Sequence, residues 1–374
     1  MSAWPILPFD ECVSDASAGN LKVPKSEYQE SDTYAVIDQG KAAVAGYTDD
    51  PRFLYRGDLP VVIFGDHTRA FKYVDSLFCM GADGVKVLRP QPGINAKYLY
   101  HVLSWVDIPS AGYSHHFKFL KEENIVVPPL DEQRRIAQVL DSVDALRARR
   151  RVAISLLDEL AQSTFLDIFG DPASNPKGWP VNPLRELGHV ATGNTPSRDV
   201  KENYGDAIEW IKSDNIDPSR LYLTTASEFL SATGAKKARV VGPGSILVTC
   251  IAGSRARIGD AAVADRTVAF NQQINAISPS EQEWRFLYAQ LRAAKRLVQE
   301  RSTDGMTGLV SKARFESIEL ICPPLGLQKE FSARVSRVDM LEESHQRHLA
   351  ELDALFASLQ HRAFRGELWE APAA

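Results

Sequence analysis

Pro128-Pro129-Leu130-Asp131-Glu132-Gln133-Arg134-Arg135-Ile136 ends one kind of structure and begins another. The two prolines lack N–H groups and push the residues before them towards extended backbone, so no helix runs through them. Asp131 suits the first turn of a helix, where a negative charge meets the exposed N–H groups. From there to residue 168 the chain has neither Gly nor Pro. Its apolar groups recur at helical spacing: Ile136, Leu140, Val143, Ile154, Leu157, Ala161, Thr164 and Ile168. This pattern predicts a long amphipathic helix of coiled-coil-like character, roughly 57 Å long at the ordinary rise per residue. Gly170-Asp171-Pro172 ends it, and Asn175-Pro176-Lys177-Gly178 makes a turn cluster beyond.

The same passage returns 195 residues later as Pro323-Pro324-Leu325. At that offset Gln133 meets Gln328, Val143-Asp144 meets Val338-Asp339, and Leu146 meets Leu341. Leu157-Asp158 meets Leu352-Asp353, Leu160 meets Leu355, and Phe169 meets Phe364. A second helix is therefore predicted over about 326–364, closed by Gly366. Upstream, Trp4-Pro5 with Pro8 is echoed by Trp179-Pro180 with Pro183, at an offset of 175. The chain reads as unit, helix, unit, helix, and the helices resemble each other more than the units do. The stretch with Arg147, Arg149, Arg150 and Arg151 in the middle of the first helix is matched in the second by one with Glu342, Glu343, Ser344 and His345. Antiparallel pairing would set these opposite charges face to face; solvated charge on an open face is the alternative.

The units are mixed in pattern. Residues 59–64, 84–88 and 125–127 of the first, and 246–248, 274–277 and 318–321 of the second, read as short strands. Residues 95–106 and 282–301 read as helices inside the units. The boundaries drawn along the sequence are 1–127, 128–178, 179–322 and 323–374. Their net charges are −4, −1, +2 and −2, within a total of −5. An acidic average removes the simple electrostatic argument for nucleic acid but permits a local basic groove. No apolar run reaches transmembrane length, and Met1-Ser2-Ala3-Trp4-Pro5 has no signal-peptide character. Cys12, Cys79, Cys250 and Cys322 are scattered, which fits reduced thiols in a cytoplasm, the expected location.

Catalytic signatures are missing. There is no Gly-x-x-x-x-Gly-Lys-[Ser/Thr], no Gly-x-Gly-x-x-Gly after a strand, and no [Asn/Asp]-Pro-Pro-aromatic loop of an amino-methyltransferase. No acidic cluster suits a metal-dependent nuclease, and His115-His116 lacks further ligands at metal spacing. Neither a catalytic residue nor a metal site is expected. Polar, basic and amide-rich loops stand in their place, at matching positions of the two units. In the first unit they hold Asp66, His67, Thr68, Arg69 and Lys72, then Tyr113, Ser114, His115, His116 and Lys118. In the second the corresponding loops hold Ser254, Arg255 and Arg257, then Thr307, and Lys212, Ser213, Asn215, Lys236, Lys237, Asn271, Gln272 and Gln273 are further candidates. Arginine pairs naturally with guanine and Asn or Gln with adenine, while lysines and backbone amides hold phosphates. Solvated surface is the plain alternative for any single loop; the recurrence argues for a shared binding face.

In this order, the segments resemble the specificity subunits of type I restriction–modification systems, over essentially the whole chain. The resemblance is carried by Gly193-Asn194-Thr195-Pro196-Ser197, Tyr204-Gly205, Ile208-Glu209-Trp210-Ile211, Val241-Gly242-Pro243-Gly244-Ser245-Ile246-Leu247, Phe270-Asn271-Gln272-Gln273-Ile274 and Gly308-Leu309-Val310-Ser311 before Cys322-Pro323-Pro324-Leu325. Residues 128–136 resemble the family's entry into its first helix. The first unit lacks the Gly-x-Thr-Pro opening, and Leu325-Gly326-Leu327-Gln328 lacks the Glu of the Leu-x-Glu-Gln pattern.

The resemblance implies an α/β (α+β) chain: two mixed α/β target recognition domains separated by two long antiparallel coiled-coil-like helices, with pseudo-two-fold symmetry. It implies a non-catalytic subunit that grips a bipartite, asymmetric site in double-stranded DNA. The helices would set the spacing, about one DNA turn or roughly 34 Å, and dock two methyltransferase subunits. Those partners would bind S-adenosylmethionine, while restriction/translocase subunits would join through the assembled complex and use ATP and Mg. No cofactor is expected on this chain. A helical scaffold that binds no DNA is the competing reading.

Overall fold

The computed structural model describes residues 4–82, 84–110, 112, 115–303 and 307–369. Packing divides the chain into two compact units, residues 1–149 with 349–374, and residues 150–348. Each unit therefore contains one sheet-bearing head together with part of both long helices.

In the first unit an antiparallel four-stranded sheet runs in the order Val13–Asp15, Val85–Pro90, Val61–Gly65, Phe71–Val74. Gly46–Thr48, Tyr34–Ile37 and Phe78–Met80 form a second sheet, its last pair parallel. Val61–Gly65 is buried along its whole length, because side chains alternate between faces and both faces are covered. Val62 and Phe64 pack with Tyr98, Leu99 and Val102 of the helix Ala96–Trp105. Val61 and Ile63 pack with Phe78, Met80, Val85 and Val87.

The second unit repeats the scheme. Gly188–Thr192, Ile274–Pro279, Ile246–Thr249 and Ala261–Val263 form an antiparallel sheet. Ile246 and Val248 pack with Leu287 and Leu291 of the helix Trp284–Ala293, and Leu247 packs on the other side with Ile211 and Phe270. That other side belongs to a second four-stranded sheet built on Tyr204–Ile211.

The long helices span Leu130–Phe169 and Leu325–Phe364. In the first unit Ile136, Ala137 and Leu140 share a core with Phe356, Leu359, Ala363 and Phe364. The Trp369 indole donates to Glu132 at 2.7 Å, and Arg147 Nε donates to Asp353 at 2.6 Å, so the segments run antiparallel. In the second unit Phe165 and Phe169 meet Phe331 and Phe286, while Arg150 Nη1 bonds His345 Nδ1 at 2.9 Å. These segments are antiparallel too.

The repeated Pro-Pro-Leu passages have a physical function. Gln133 and Gln328 are both buried. Gln133 Nε2 donates to the Pro128 carbonyl at 2.8 Å, and its Oε1 accepts the N–H of Asn95, the N-cap of the helix Ala96–Trp105, at 2.8 Å. Gln328 Nε2 donates to the Pro323 carbonyl at 2.8 Å, and its Oε1 accepts the N–H of Glu283, the N-cap of Trp284–Ala293, at 3.1 Å. Each glutamine thus ties the start of a long helix to the start of a head helix. Losing it would strand buried polar groups at roughly 1–3 kcal/mol apiece. The upstream echo is equally concrete: the Val127 N–H donates to Pro5 and the Cys322 N–H to Pro180, at 2.8 and 2.7 Å. The strand pairs Ile6–Pro8 with Asn124–Val126, and Val181–Pro183 with Glu319–Ile321, follow from them.

Three expectations are corrected. The helix read over 282–301 breaks at Ala294 into Trp284–Ala293 and Lys295–Glu300. The strands Tyr34–Ile37, Phe78–Met80 and Tyr204–Ile211 were absent from the sequence reading; the last is interrupted by a register shift between Tyr204 and Ile208. In the polar middle, Arg150 donates to a His345 ring nitrogen rather than meeting an opposite charge, and Arg147 takes Asp144 and Asp353 and lies 4.3 Å over the Phe356 ring. Glu342 turns inward instead.

Glu342 lies buried in a cleft of about 40 Å³ with Asp158, Asp339, Arg285 and Arg292. Arg292 grips Asp158 through both terminal nitrogens at 2.5 and 3.0 Å, and Arg285 bonds Asp339 at 2.7 Å. Burial and the neighbouring carboxylates of Asp158 and Asp339 push the Glu342 carboxyl from 4.5 up to about 7. The folded chain then holds this proton more tightly than the unfolded chain does. Its contribution is fully present below about pH 4.5 and is lost as pH rises through about 7. Glu342→Gln should abolish a pH-dependent loss of about 2 kcal/mol between pH 5 and 8, read by chemical denaturation at both pH values. Equal slopes for variant and parent would refute this.

No helix among the described residues is long and apolar enough to cross a membrane. All four cysteines are free, with Cys12, Cys79 and Cys250 buried.

Candidate nucleic-acid interface

The strand Val61–Gly65 delivers Asp66 to the end of the first sheet. Asp66 is buried and works as a clamp: its carboxylate accepts the Phe117 N–H at 2.7 Å and meets His115 Nδ1 at 2.6 Å. Its carbonyl accepts the N–H and Nδ1 of buried His116 at 3.1 and 2.8 Å. Lys72 is buried too, its ammonium on the Asp38 carbonyl at 2.7 Å with the carboxylate at 3.6 Å. Burial draws this lysine below its ordinary range. Asp66, Lys72 and His116 are therefore framework rather than surface, which corrects their reading as direct DNA contacts: a buried charge needs internal partners, and these have them.

Thr68, Arg69, His115 and Lys118 are exposed and His67 is half-buried. The Thr68 hydroxyl donates to the Gln39 carbonyl. Arg69 has a positive φ of 60° and donates to the Ile108 carbonyl at 2.8 Å. The His67 and His115 rings lie 4.8 Å apart, and Lys118 Nζ sits over Phe119. Tyr113 and Ser114 lie outside the described residues.

In the second unit, segments distant in sequence converge. Gly193 donates to the Ile274 carbonyl, and a Cβ on it would collide with the carbonyls of Phe270 and Asn271. Only glycine allows this approach. Asn194 then accepts the Arg239 N–H at 2.7 Å and donates to the Lys237 carbonyl at 2.9 Å, while the Thr195 hydroxyl bonds the Gln272 side chain. Ser213 Oγ and Asn271 Nδ2 both donate to Gln273 Oε1, at 3.3 and 2.8 Å. Arg257 donates to the carbonyls of Ser213 and Ile216 and lies 3.0 Å from Asp260. Five stretches, around residues 194, 212, 237, 257 and 272, thus form one hydrogen-bonded surface.

Within it, Asn271 is buried, and Asn215 uses its amide on the Lys212 N–H, Thr224 Oγ1 and the Thr225 carbonyl. Burial makes Asn271 a support of the loops and corrects its reading as a contact, while Asn215 is half-buried and tied into the same loops. Lys212 is paired with Glu228 and lies 5.2 Å over Trp210. Lys236, Lys237, Ser254, Arg255, Gln272 and Thr307 are exposed, and Ser213, Arg257 and Gln273 half-buried. Lys237 bonds Asn203 at 2.9 Å, and Arg255 reaches the Gln299 carbonyl at 3.4 Å. Ile251–Ala252 pairs with Gly308–Leu309, bringing the loops that carry Ser254 and Thr307 together.

The sequence reading missed Arg198, an exposed guanidinium over Tyr204 and Trp210 at 5.3 and 5.4 Å and bonded to Glu228 at 3.0 Å. It also missed exposed Arg239. The position of Arg198, directly after Gly193-Asn194-Thr195-Pro196-Ser197, was the available signal. Among the described residues, no group of three or more His, Cys, Asp or Glu side chains could hold a metal. Together, the exposed cations, hydroxyls and fixed amides can donate to phosphate oxygens and base edges.

Comparison with known proteins agrees with this chemistry. The family model described as the type I restriction modification DNA specificity domain matches residues 21–155 and again 176–354. The type I restriction enzyme EcoR124I/EcoR124II specificity subunit of Escherichia coli is 22% identical over 360 residues, 90% of this chain and 87% of the relative. The HindI specificity subunit of Haemophilus influenzae is 32% identical over 154 residues, 40% of this chain but only 32% of that relative's length. The crystal structure of a type I restriction–modification S subunit from M. genitalium superposes with a TM-score of 0.61, covering 96% of both chains at 15% identity. That last likeness is one of fold.

Proposed function

This chain belongs to the family of type I restriction–modification DNA specificity domains, and from that premise we propose that it reads a bipartite, asymmetric site in double-stranded DNA for a type I restriction–modification enzyme. The observation that carries the reading is the double match: two copies of the specificity domain in one chain, with differently composed loops on equivalent sheets. Specificity subunits are the non-catalytic members of these systems.

The head within residues 1–127 takes one half-site through His67, Thr68, Arg69, His115 and Lys118. The head within 179–322 takes the other through Arg198, Ser213, Lys236, Lys237, Arg239, Ser254, Arg255, Gln272, Gln273 and Thr307. Asp66, Lys72, His116, Asn215 and Asn271 hold these loops from behind, and the length of the long helices sets the number of unread bases. Two methyltransferase subunits dock on the helices and bring restriction/translocase subunits with them. S-adenosylmethionine, ATP and Mg act on those partners.

The test is co-expression of the full chain with the methyltransferase subunit of its own system, followed by single-molecule mapping of modified bases in the host genome. One split motif with an unread gap is expected. A folded complex that leaves the genome unmodified, or modifies a continuous motif, would overturn the reading in favour of a scaffold.

A further inference from the structure

The Asp66–His115 contact joins opposites. The Asp66 side chain is 6% exposed and that of His115 75% exposed. Placing a carboxylate in a sheet end costs desolvation, and a stability role alone would be met by the Phe117 N–H that Asp66 Oδ1 already accepts at 2.7 Å. Its second oxygen instead faces outward to His115 Nδ1 at 2.6 Å.

The hydrogen on that contact can be assigned. Burial works to raise the Asp66 carboxyl, but the N–H donors of Phe117, His115 and His116 hold it below the ordinary carboxylate range. An ionised carboxylate only accepts hydrogen bonds, so His115 Nδ1 carries the hydrogen. In the neutral ring Nε2 is then a lone-pair acceptor on an exposed imidazole. The ring is flanked by His67, at 4.8 Å between centroids. The backbone N–H groups of the next two residues are anchored by the Asp66 clamp. A ring hydrogen held on one nitrogen is what discrimination between base edges requires.

Resting on the DNA-recognition reading above, we propose that His115 is a specificity-determining residue of the first head, accepting through Nε2 from an exocyclic amino group, adenine N6 or cytosine N4, in the major groove. Asp66 is its positioning residue, and it acts by choosing the tautomer.

Asp66→Asn tests this with little change of shape. The asparagine Oδ1 still accepts the Phe117 N–H, while its amide nitrogen donates to His115 Nδ1 and moves the ring hydrogen to Nε2. The acceptor becomes a donor, suited to guanine O6 or N7 or to thymine O4. The full chain carrying Asp66→Asn or His115→Gln is co-expressed with its methyltransferase subunit, and modified bases are mapped across the host genome. For Asp66→Asn, one position in one half-site should switch from adenine or cytosine to guanine or thymine. Modification of the original motif should fall about tenfold or more, with the other half-site unchanged. His115→Gln, which can both donate and accept, should relax that same position.

A motif unchanged in both variants overturns the inference. So does loss of modification in Asp66→Asn beside an unchanged His115→Gln, which would mark Asp66 as purely structural. If Asp66→Asn does not fold, His115→Gln decides alone, an unchanged motif counting against the proposal. A parent complex that modifies nothing sinks the DNA reading itself, and is told apart by preceding any variant.

Discussion

Exchanging residues 1–127 for the first head of another family member changes one half of the modified motif and leaves the other half as it was. The expectation follows from the separate cores of the two heads: one built on Val61–Gly65 and the helix Ala96–Trp105, the other on Ile246–Thr249 and Trp284–Ala293. The structure also says what the graft must preserve. Tyr98, Leu99 and Val102 share a core with Ile136, Leu140 and Phe364 of the long helices, and Gln133 needs the N–H at position 95. A donor head without that apolar face would strip a leucine-sized contact at about 2–5 kcal/mol per site and fail by unfolding, which a thermal melt detects. With a folded graft, genome-wide mapping of modified bases decides. Change in both halves, or in neither, would falsify independent reading.

Loss of partner binding is the second large effect. Four leucines of the long helices are related by the 195-residue repeat and stay exposed: Leu146 and Leu341 at 45% and 54%, Leu160 and Leu355 at 50% and 46%. The antiparallel pairing puts one of each kind in each unit, Leu146 with Leu355 in the first and Leu341 with Leu160 in the second. Apolar side chains that the fold leaves uncovered at equivalent positions fit one partner binding twice. Burying a leucine contributes about 1.5–3 kcal/mol, so replacing a pair by aspartate should weaken one docking place by two orders of magnitude or more. On the proposed assembly with two methyltransferase subunits, Leu146→Asp with Leu355→Asp should reduce the complement from two copies to one, and all four substitutions should abolish it, without lowering the melting temperature. Native mass spectrometry gives the stoichiometry. A full complement bound to the fourfold variant would remove these leucines from the interface.

Glu342 and the repeated glutamines show how differently parts of this molecule could be read. The helices were legible because their information is local: an uninterrupted apolar periodicity between proline and glycine boundaries. The break at Ala294 and the strand Tyr204–Ile211 are also local in origin, but the first interrupts an otherwise helical pattern and the second is broken by a register shift. The inward turn of Glu342 towards Asp158 could not be read, because it depends on which helix face meets the head helix bearing Arg292.

The amino-acid sequence by itself determined the duplication, the two long helices, the mixed heads and the polar loops from which an interface could be made. Periodicity and repetition at a constant offset record these in residue spacing alone. Only the tertiary structure decided which loop residues face outward. Lys72 and His116 are as polar as Arg69 and His115, yet Lys72 is held by Asp38 and His116 by Asp66, 34 and 50 positions away. Whether a charge is available to a ligand depends on the partners that folding brings to it, and long-range hydrogen bonds leave no trace in residue spacing.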